Sequence, residues 1–504
     1  MSTGRTSWGR LPPEIRNQIV SLLPVLGGRC SISATVAQDW KSIIEPLNFA
    51  QISLTVPRLV DVNSQAILSR KRTQIRYIWF RIELKQYDCT NCVDTGQGYW
   101  GLDNVDNQFI VDAFESLFAT LSTWEPRGDL VLDISVYPPS DNQHRHHSWR
   151  VLVPPEHKQG TTQINDPAHG WVAGKQVIAP SEDAIEKPFD EIMGEGPFED
   201  EEPEMQWWRS LPCVPVVGVV LLRQQTRRRW KPVALANMLT RFPNMKELCY
   251  EPWREWTEFR CLLINPLTNH DTGYQTLIET FPSTKLCKLT IFENFNESYP
   301  KRFFRCPAVR VPEPAVSWKL ARTSLHLTTL SASFMADAEY FFAARQNSWT
   351  WDKLTSLALT SRVLADDADT FDVNNMLRDA AAAALKMPKL DIMELWNGRR
   401  GVAMLFRYQR ARDGQSAIIT VRGKSELALG IAATQAWDLV AHRHQHGRVI
   451  ARTSLIDPGA IRCLGDVVRH LGLSVEVARP VSLQQNVNEH GFRAVGKIVT
   501  VTDE

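Results

Sequence analysis

Helix-like and strand-like segments alternate along most of this chain, and one kind of turn recurs between them. At 242–248, 281–286 and 387–390 a large apolar residue is followed by proline and then by a lysine ahead of an apolar run. The units recur at intervals of about 30 to 40 residues, which is the range typical of repeat arrays. Such a unit can bury its apolar side only against its neighbours. The recurrence therefore predicts an α/β fold built from strand–helix units.

The first complete unit can be read from its periodicity. Alternation with period two predicts strands over 77–84 and 130–136, and helical spacing predicts a helix over 110–121 between them. This order is a βαβ unit, in which the two strands are parallel. Further strands are predicted at 325–330, 354–359, 417–421 and 449–453, with edge strands around 475–477 and at 498–501. Further helices are predicted at 233–242, 274–281, 337–344, 373–387, 429–442 and 459–471.

The first fifty residues have a different pattern, that of a small helical module. Pro12 and Pro13 supply the backbone angle of a first helical turn and lack the N–H groups that a helix start leaves unpaired. One apolar stripe follows and is ended by Pro24; it consists of Ile15, Ile19, Leu22 and Leu23. A second stripe is ended by Pro46; it consists of Ile32, Val36, Trp40, Ile43 and Ile44. Two short helices bury too little surface to be stable alone, so they require a partner, the following domain, or both.

Residues 8–54 resemble an F-box, whose pattern opens with Leu-Pro-x-Glu-Ile/Leu and reaches a tryptophan in a later helix. The resemblance implies that this module docks on a Skp-type adaptor, which joins it to a cullin-based ubiquitin ligase. The adaptor-binding residues that it implies are Leu11, Pro12, Ile15, Ile19, Leu22, Leu23, Val36 and Trp40. The pattern departs from the family at 37–39, where Ala-Gln-Asp fills a region that often holds cysteine. The alternative is that the two helices only cap a core.

The later units resemble degenerate leucine-rich repeats, with strands side by side and helices outside. The expected architecture is thus a small all-α F-box module followed by a leucine-rich-repeat-like solenoid of mostly parallel strands. An ordinary parallel α/β domain is the alternative, because the regular Asn or Cys ladder of strict leucine-rich repeats is absent from the sequence. The combination resembles uncharacterised F-box proteins of filamentous fungi.

The domain boundaries follow from these patterns and from one change in composition. Between Pro138 and Met205 the periodicity gives way to Pro, Gly, His and acidic residues, with the acidic residues densest over 182–204. This composition predicts a disordered insertion. The predicted segments are an F-box-like module at 8–54, first repeats at 55–137, the insertion at 138–205, the main array at 206–410, and C-terminal repeats or a cap at 411–504.

Composition restricts the possible partners and the compartment. The chain has 504 residues and a formal net charge of +1, which argues against a generally basic surface for nucleic acid. Its longest apolar run, 214–222, is shorter than the roughly 20 residues that a membrane span requires. Nine cysteines without regular spacing and the lack of a secretory leader predict a cytoplasmic or nuclear protein with free thiols.

Motifs that carry catalytic or metal chemistry are weak in this sequence. Cys89 and Cys92 have the spacing of half a zinc site, and the histidines at 144–147 and 442–446 are better explained by solvation and by a helix end. The run 227–231, Arg-Arg-Arg-Trp-Lys, could contact phosphate, but we interpret it as a solvated loop that could also pair with the acidic insertion. Phosphate-binding, nucleophile-elbow and zinc-protease motifs are absent from the sequence. No metal, cofactor or catalytic residue is therefore predicted.

The predicted function is that of a non-enzymatic substrate-recognition subunit of an SCF-type ubiquitin ligase. The module would bind the adaptor and, through it, a cullin, and the array would bind an unidentified target protein. Two alternatives remain open. One is an adaptor-bound F-box scaffold without a role in degradation, and the other is a parallel α/β enzyme with its site at the strand carboxyl ends and an N-terminal helical cap.

Overall fold

The computed structural model describes the larger part of the chain. The described residues are 8, 11–23, 36–87, 104–142, 171–172, 175–176, 187–194, 196–254, 269–281, 285–295, 311–365, 369–410, 416–424, 427–445 and 447–494. Their helices are α1 Pro13–Leu22, α2 Gln38–Ala50, α3 Val56–Val60, α4 Val62–Lys71, α5 Asn104–Leu121, α6 Glu201–Ser210, α7 Pro232–Leu239, α8 Asn269–Thr280, α9 Pro314–Thr323, α10 Ala338–Ala343, α11 Thr370–Ala384, α12 Ile431–Arg443, α13 Leu464–Leu471 and α14 Pro480–Ala494.

The strands follow in chain order. They are β1 Gln51–Thr55, β2 Tyr77–Glu83, β3 Leu130–Tyr137, β4 Trp171–Val172, β5 Lys175–Gln176, β6 Glu191–Ile192, β7 Val217–Leu222, β8 Arg229–Trp230, β9 Glu247–Tyr250, β10 Lys288–Phe292, β11 Thr329–Ser333, β12 Ser356–Thr360, β13 Ile392–Arg399, β14 Val402–Gln409, β15 Ile418–Gly423 and β16 Ile450–Leu455.

Twelve of the described strands form one sheet, in the order β1-β2-β3-β7-β9-β10-β11-β12-β13-β14-β15-β16. Neighbouring strands are parallel from β1 through β13. The run β13-β14-β15 is antiparallel, and β16 is again parallel to β15. The prediction of an α/β fold with a mostly parallel sheet is confirmed.

The two faces of this sheet have different coverings. On β2, Ile78, Phe80 and Ile82 are buried in one large core together with the inward residues of the helices between the strands. The other face, here called the second face, carries Tyr77 and Trp79 on the same strand. Because successive side chains of a strand point to opposite faces, the alternation in the sequence correctly predicted which residues of β2 share a face.

The C-terminal part of the chain lies on the second face. Helix α13 contacts β13 and β14, the residues 472–479 follow, and α14 packs against α13. Val475 and Val477 are buried in a second, smaller core on this face. The prediction that they form edge strands is wrong, because the segment is held by side-chain carboxylates of the sheet and not by a strand ladder.

Two other local predictions are also wrong. Helix α2 does not end at Pro46 but continues to Ala50, where buried Ile44 and the ion pair of Glu45 with Lys71 at 2.7 Å offset the hydrogen bond that proline removes. The strand expected at 325–330 begins only at Thr329, because Ser324–His326 form a 3₁₀ turn.

The insertion is ordered in part, which corrects the prediction of disorder over 138–205. Residues 139–142, 187–194 and 196–205 have defined structure, and α6 begins at Glu201. Attraction between this acidic segment and the arginines after β7 opposes the chain entropy that favours disorder. Several predicted features lie outside the described residues, namely Pro24, Ile32, Cys89, Cys92, the histidines at 144–147, His446 and the strand at 498–501.

Candidate functional site

The N-terminal helices pack against each other and join the sheet directly. Pro12 is the residue before α1 and Pro13 opens it, as predicted. The ring centre of Trp8, which precedes α1, lies 5.4 Å from that of Trp40 in α2. Helix α2 ends at Ala50 and β1 begins at Gln51, so the module enters at the amino end of the first strand.

The predicted adaptor-binding residues are largely left uncovered. Ile15, Ile19 and Leu22 are 41%, 39% and 53% exposed on one side of α1, whereas Val20 is 1% exposed. Val36 and Pro12 are also exposed, and Leu11, Leu23 and Trp40 are half-buried. The structure therefore brings Ile15, Ile19 and Leu22 together as an apolar surface. Trp40 differs from them because it faces Trp8.

A polar and aromatic cluster lies on the second face at strands β2 and β3. The Tyr77 hydroxyl donates to Asp133, and an Arg223 Nη2 lies 2.5 Å from the same carboxylate. Burial raises the pKa of Asp133, and the charge of Arg223 opposes that rise. Beside this cluster the Arg81 guanidinium lies 4.7 Å above the half-buried Trp79 ring. The Arg81 guanidinium also donates to the Tyr137 hydroxyl, so the cluster is held by contacts within the protein.

The basic run 227–229 is buried, which corrects the expectation of a solvated loop. Arg228 lies 3.1 Å from Asp141 and 3.1 Å from Asp190. Arg229 lies 3.6 Å from Glu191, and Arg227 lies 5.0 Å from the Trp253 ring centre. The suggested pairing with the acidic insertion is present, and these guanidinium groups serve contacts within the protein.

Two buried carboxylates hold the C-terminal segment on the second face. Glu394 of β13 accepts hydrogen bonds from the Ser474 and Val475 N–H groups at 2.8 and 3.0 Å. Glu251, which follows β9, accepts from the Arg479 N–H at 2.6 Å and from the Ser482 hydroxyl. Burial raises the pKa of Glu251, and these donors oppose that rise. The middle of the second face is thus occupied by the chain itself.

An acidic cavity of about 430 Å³ separates the ordered part of the insertion from α6. Its lining includes Glu199, Asp200 and Glu204, and the Lys231 ammonium lies 3.2 Å from the Glu204 carboxylate. Among the described residues, no three His, Cys, Asp or Glu side chains are arranged to hold a metal ion. His444 directly follows α12, and one of its ring nitrogens lies 3.1 Å from the Ala384 carbonyl oxygen.

Sequence reasoning missed the buried polar groups. Asp133 could have been suspected, because it is the single charged residue in the apolar strand 130–137. Glu251 and Glu394 had no such signal, since their partners lie more than two hundred and about eighty residues away. They bind the C-terminal segment only because the chain crosses the second face after α13.

These features define a mixed α/β protein with a large, mostly parallel sheet and an exposed apolar side on α1. In the comparison with known families, residues 280–479, less than half of the chain, match a family described as "Family of unknown function (DUF6546)". The match begins at the end of α8 and stops one residue before α14. No curated protein matches the chain. Within the described ranges, no helix has both the length and the apolar character that crossing a bilayer requires.

Proposed function

We propose that this protein is a substrate-recognition subunit of a cullin-type ubiquitin ligase. Helices α1 and α2 act as an F-box-like module that binds a Skp-type adaptor. The observation that carries the proposal is the exposure of Ile15, Ile19 and Leu22 on one side of α1. Clustered apolar side chains that a protein leaves in water are typical of surfaces that another protein covers.

The strand–helix array is the part proposed to bind the target. Strand order in the sheet follows chain order, and the helices between parallel strands share one core on one face. This arrangement supports the leucine-rich-repeat-like interpretation, in which each unit packs on its neighbours and the array offers an extended surface.

A subunit of this kind makes and breaks no bond. It holds a target lysine near the activated ubiquitin and so raises the effective concentration of the reacting groups. The function therefore requires two protein-binding surfaces and no cofactor, and it belongs in the cytoplasm or the nucleus. The scaffold alternative uses the same adaptor contact and differs only in the fate of the bound protein.

Binding of a purified Skp-type adaptor to the full chain tests the proposal directly. Replacing both Ile15 and Ile19 with serine should weaken binding about a hundredfold, because each central apolar contact of an interface is worth about 1 to 2 kcal/mol. Isothermal titration calorimetry gives the affinity. The matched control is Gln18→Ser, which changes an exposed polar residue of the same helix.

Equal adaptor affinity of the wild type and the Ile15/Ile19 variant would show that α1 is only a cap. Circular dichroism of both variants checks that the helices remain folded. If the adaptor binds as proposed, the half-life of co-purified proteins in cells with and without the chain separates the ligase subunit from the scaffold.

A further inference from the structure

The recurring proline–lysine turns have a common geometry that the proposed function does not yet use. In each turn an apolar residue is buried beneath the amino end of a strand, and the lysine next to it points into solvent. In the three proline–lysine turns the pairs are Met245 with Lys246, Leu286 with Lys285, and Leu390 with Lys389. The turn before β12, which contains no proline, places buried Leu354 beside exposed Lys353 in the same way. The apolar residue closes the core, so its neighbour is forced outward.

These lysines form a row along one edge of the sheet. Lys246 precedes β9, Lys285 precedes β10, Lys353 precedes β12 and Lys389 precedes β13. Lys386, also exposed, adds a second cation at the last turn. We call these five side chains the lysine row. Because β9 through β13 are parallel neighbours, all of these turns lie at the amino edge of the sheet.

The charges of the lysine row are not neutralised by nearby carboxylates. In the described part of the chain the ammonium groups of Lys246, Lys353, Lys386 and Lys389 make no ion pair, and that of Lys285 donates to the Asn244 amide oxygen at 2.8 Å.

The acidic groups at this edge have other partners or are outnumbered. Glu247 lies 2.9 Å from Lys288, and Asp391 lies 3.6 Å from Arg410. Asp352 is exposed beside Lys353. In a chain whose net charge is +1, the lysine row is therefore a local excess of positive charge.

The spacing of the row fits an extended polypeptide. Neighbouring strands lie about 4.8 Å apart, so the four steps from β9 to β13 span about 19 Å. An extended peptide places side chains on one side about every 6.6 Å, and about seven residues cover the row. Carboxylates at alternate positions of such a segment would each come within reach of a lysine.

The surroundings of the row favour a peptide over a nucleic acid. Single-stranded nucleic acid binding combines cations with aromatic rings that stack on the bases. Phe242, Phe281 and Trp351 lie in these turns and are buried in the core, and the half-buried Trp349 packs against the core with its ring centre 6.1 Å from that of Trp351. The described residues of these turns therefore offer no fully exposed phenylalanine, tyrosine or tryptophan ring to a base.

We propose that the lysine row binds an extended acidic segment of the target protein. This inference rests on the proposed function for the identity of the bound protein as a target. It adds a geometric consequence, since α2 enters β1 at the same amino edge. A target held on the row would lie on the side of the sheet from which the adaptor-binding helices project.

The test uses the full chain and a fluorescent peptide of alternating glutamate and serine. Lys246, Lys353 and Lys389 are replaced together with glutamine. A matched control replaces Lys85, Arg399 and Arg469, three exposed cations away from this edge, with glutamine as well, and so removes the same charge.

We expect the row variant to bind the peptide about tenfold more weakly than wild type or control, since exposed charge contacts are individually modest. Added salt should weaken the wild-type interaction.

Equal peptide binding by the row variant and the control, or no binding by the wild type, would overturn the proposal. Displacement of the peptide by oligo-uridine at lower concentration than by unlabelled peptide would also overturn it, in favour of nucleic acid. Melting temperatures of both variants check folding, because cations beyond helix carboxyl ends also stabilise helices. Adaptor affinity is measured on the same samples: its retention in the row variant separates failure of this inference from failure of the proposed function.

Discussion

At the scale of single residues, the buried charges of this protein are organised around Arg228. Its guanidinium contacts Asp141 and Asp190, and the Tyr87 hydroxyl donates to Asp141 at 2.8 Å. Burial raises the pKa of Asp141, and the charge of Arg228 is the largest influence against that rise. One side chain thus links the segment after β3, the loop after β7 and the ordered part of the insertion.

Replacing Arg228 with methionine should lower the free energy of unfolding by about 3 to 5 kcal/mol, because two buried carboxylates lose their counter-charge. Urea unfolding followed by tryptophan fluorescence measures the change. Arg469→Met on the exposed side of α13 is the control and should change stability by less than about 0.5 kcal/mol. A loss below about 1 kcal/mol at position 228 would mean that the cluster is hydrated or rearranges easily.

At the scale of elements, helix α13 packs closely against the sheet at a glycine. A Cβ at Gly398 of β13 would lie 2.2 Å from a methyl carbon of Val467, which is fully buried in α13. Glycine is required here because the helix approaches the strand too closely for a side chain. The contact sets how closely α13 lies against β13.

Gly398→Ala should destabilise the protein by about 1 to 3 kcal/mol, because a well-packed contact has no room for another methyl group. Chemical denaturation gives this value. The companion variant Val467→Ala removes the obstructing methyls, so the double variant should lose less stability than the sum of the two single changes. Additive losses would show that the helix and strand do not compete for the same space.

The elements show what local sequence can predict. The strand at 77–83 and the helix at 104–121 follow from periodicity, because each has one face in the core and one outside it. The strand at 130–137 was also predicted from the alternation of its large apolar residues, although nearly all of its residues are buried. The hairpin of β13 and β14 was not foreseen, since both strands are buried on both faces and lack clear alternation. An edge strand was predicted around 475–477 from its valines, but the N–H groups of Val475 and Arg479 are bound by Glu394 and Glu251.

At the scale of the whole molecule, the C-terminal segment connects distant parts of the sheet. Glu394 holds its beginning at β13, and Glu251 with Gln224 holds its end beside β9 and β7. In a sheet whose strands contact only their neighbours in sequence, few contacts join residues that are far apart in the chain. The C-terminal segment adds such long-range contacts, and residues of this segment form part of the second core.

Titration of Glu251 should therefore affect global stability. Its pKa in the folded protein is raised, so the stability that it contributes is fully present below about pH 4, the unfolded value, and declines as pH rises toward the folded value. Each pKa unit of the rise corresponds to about 1.4 kcal/mol.

Unfolding of wild type and Glu251→Gln is compared across a pH series. The stability of the wild type relative to the variant should decrease with rising pH, since glutamine does not titrate. Glu202→Gln at an exposed position is the control and should follow the wild-type profile. A difference between wild type and Glu251→Gln that is independent of pH would contradict the assigned burial.

The sequence by itself determined the fold class, the alternation of strands and helices, the helix start at Pro12 and the apolar stripe of α1, because each depends on residues close together in the chain. Only the tertiary structure decided that the stripe of α1 stays uncovered, that the arginines after β7 are buried, and that the C-terminal segment fills the second face. These outcomes depend on which distant residues meet, as Glu251 meets Arg479. Buried charges and close contacts are favourable only with particular partners, and no local pattern specifies those partners.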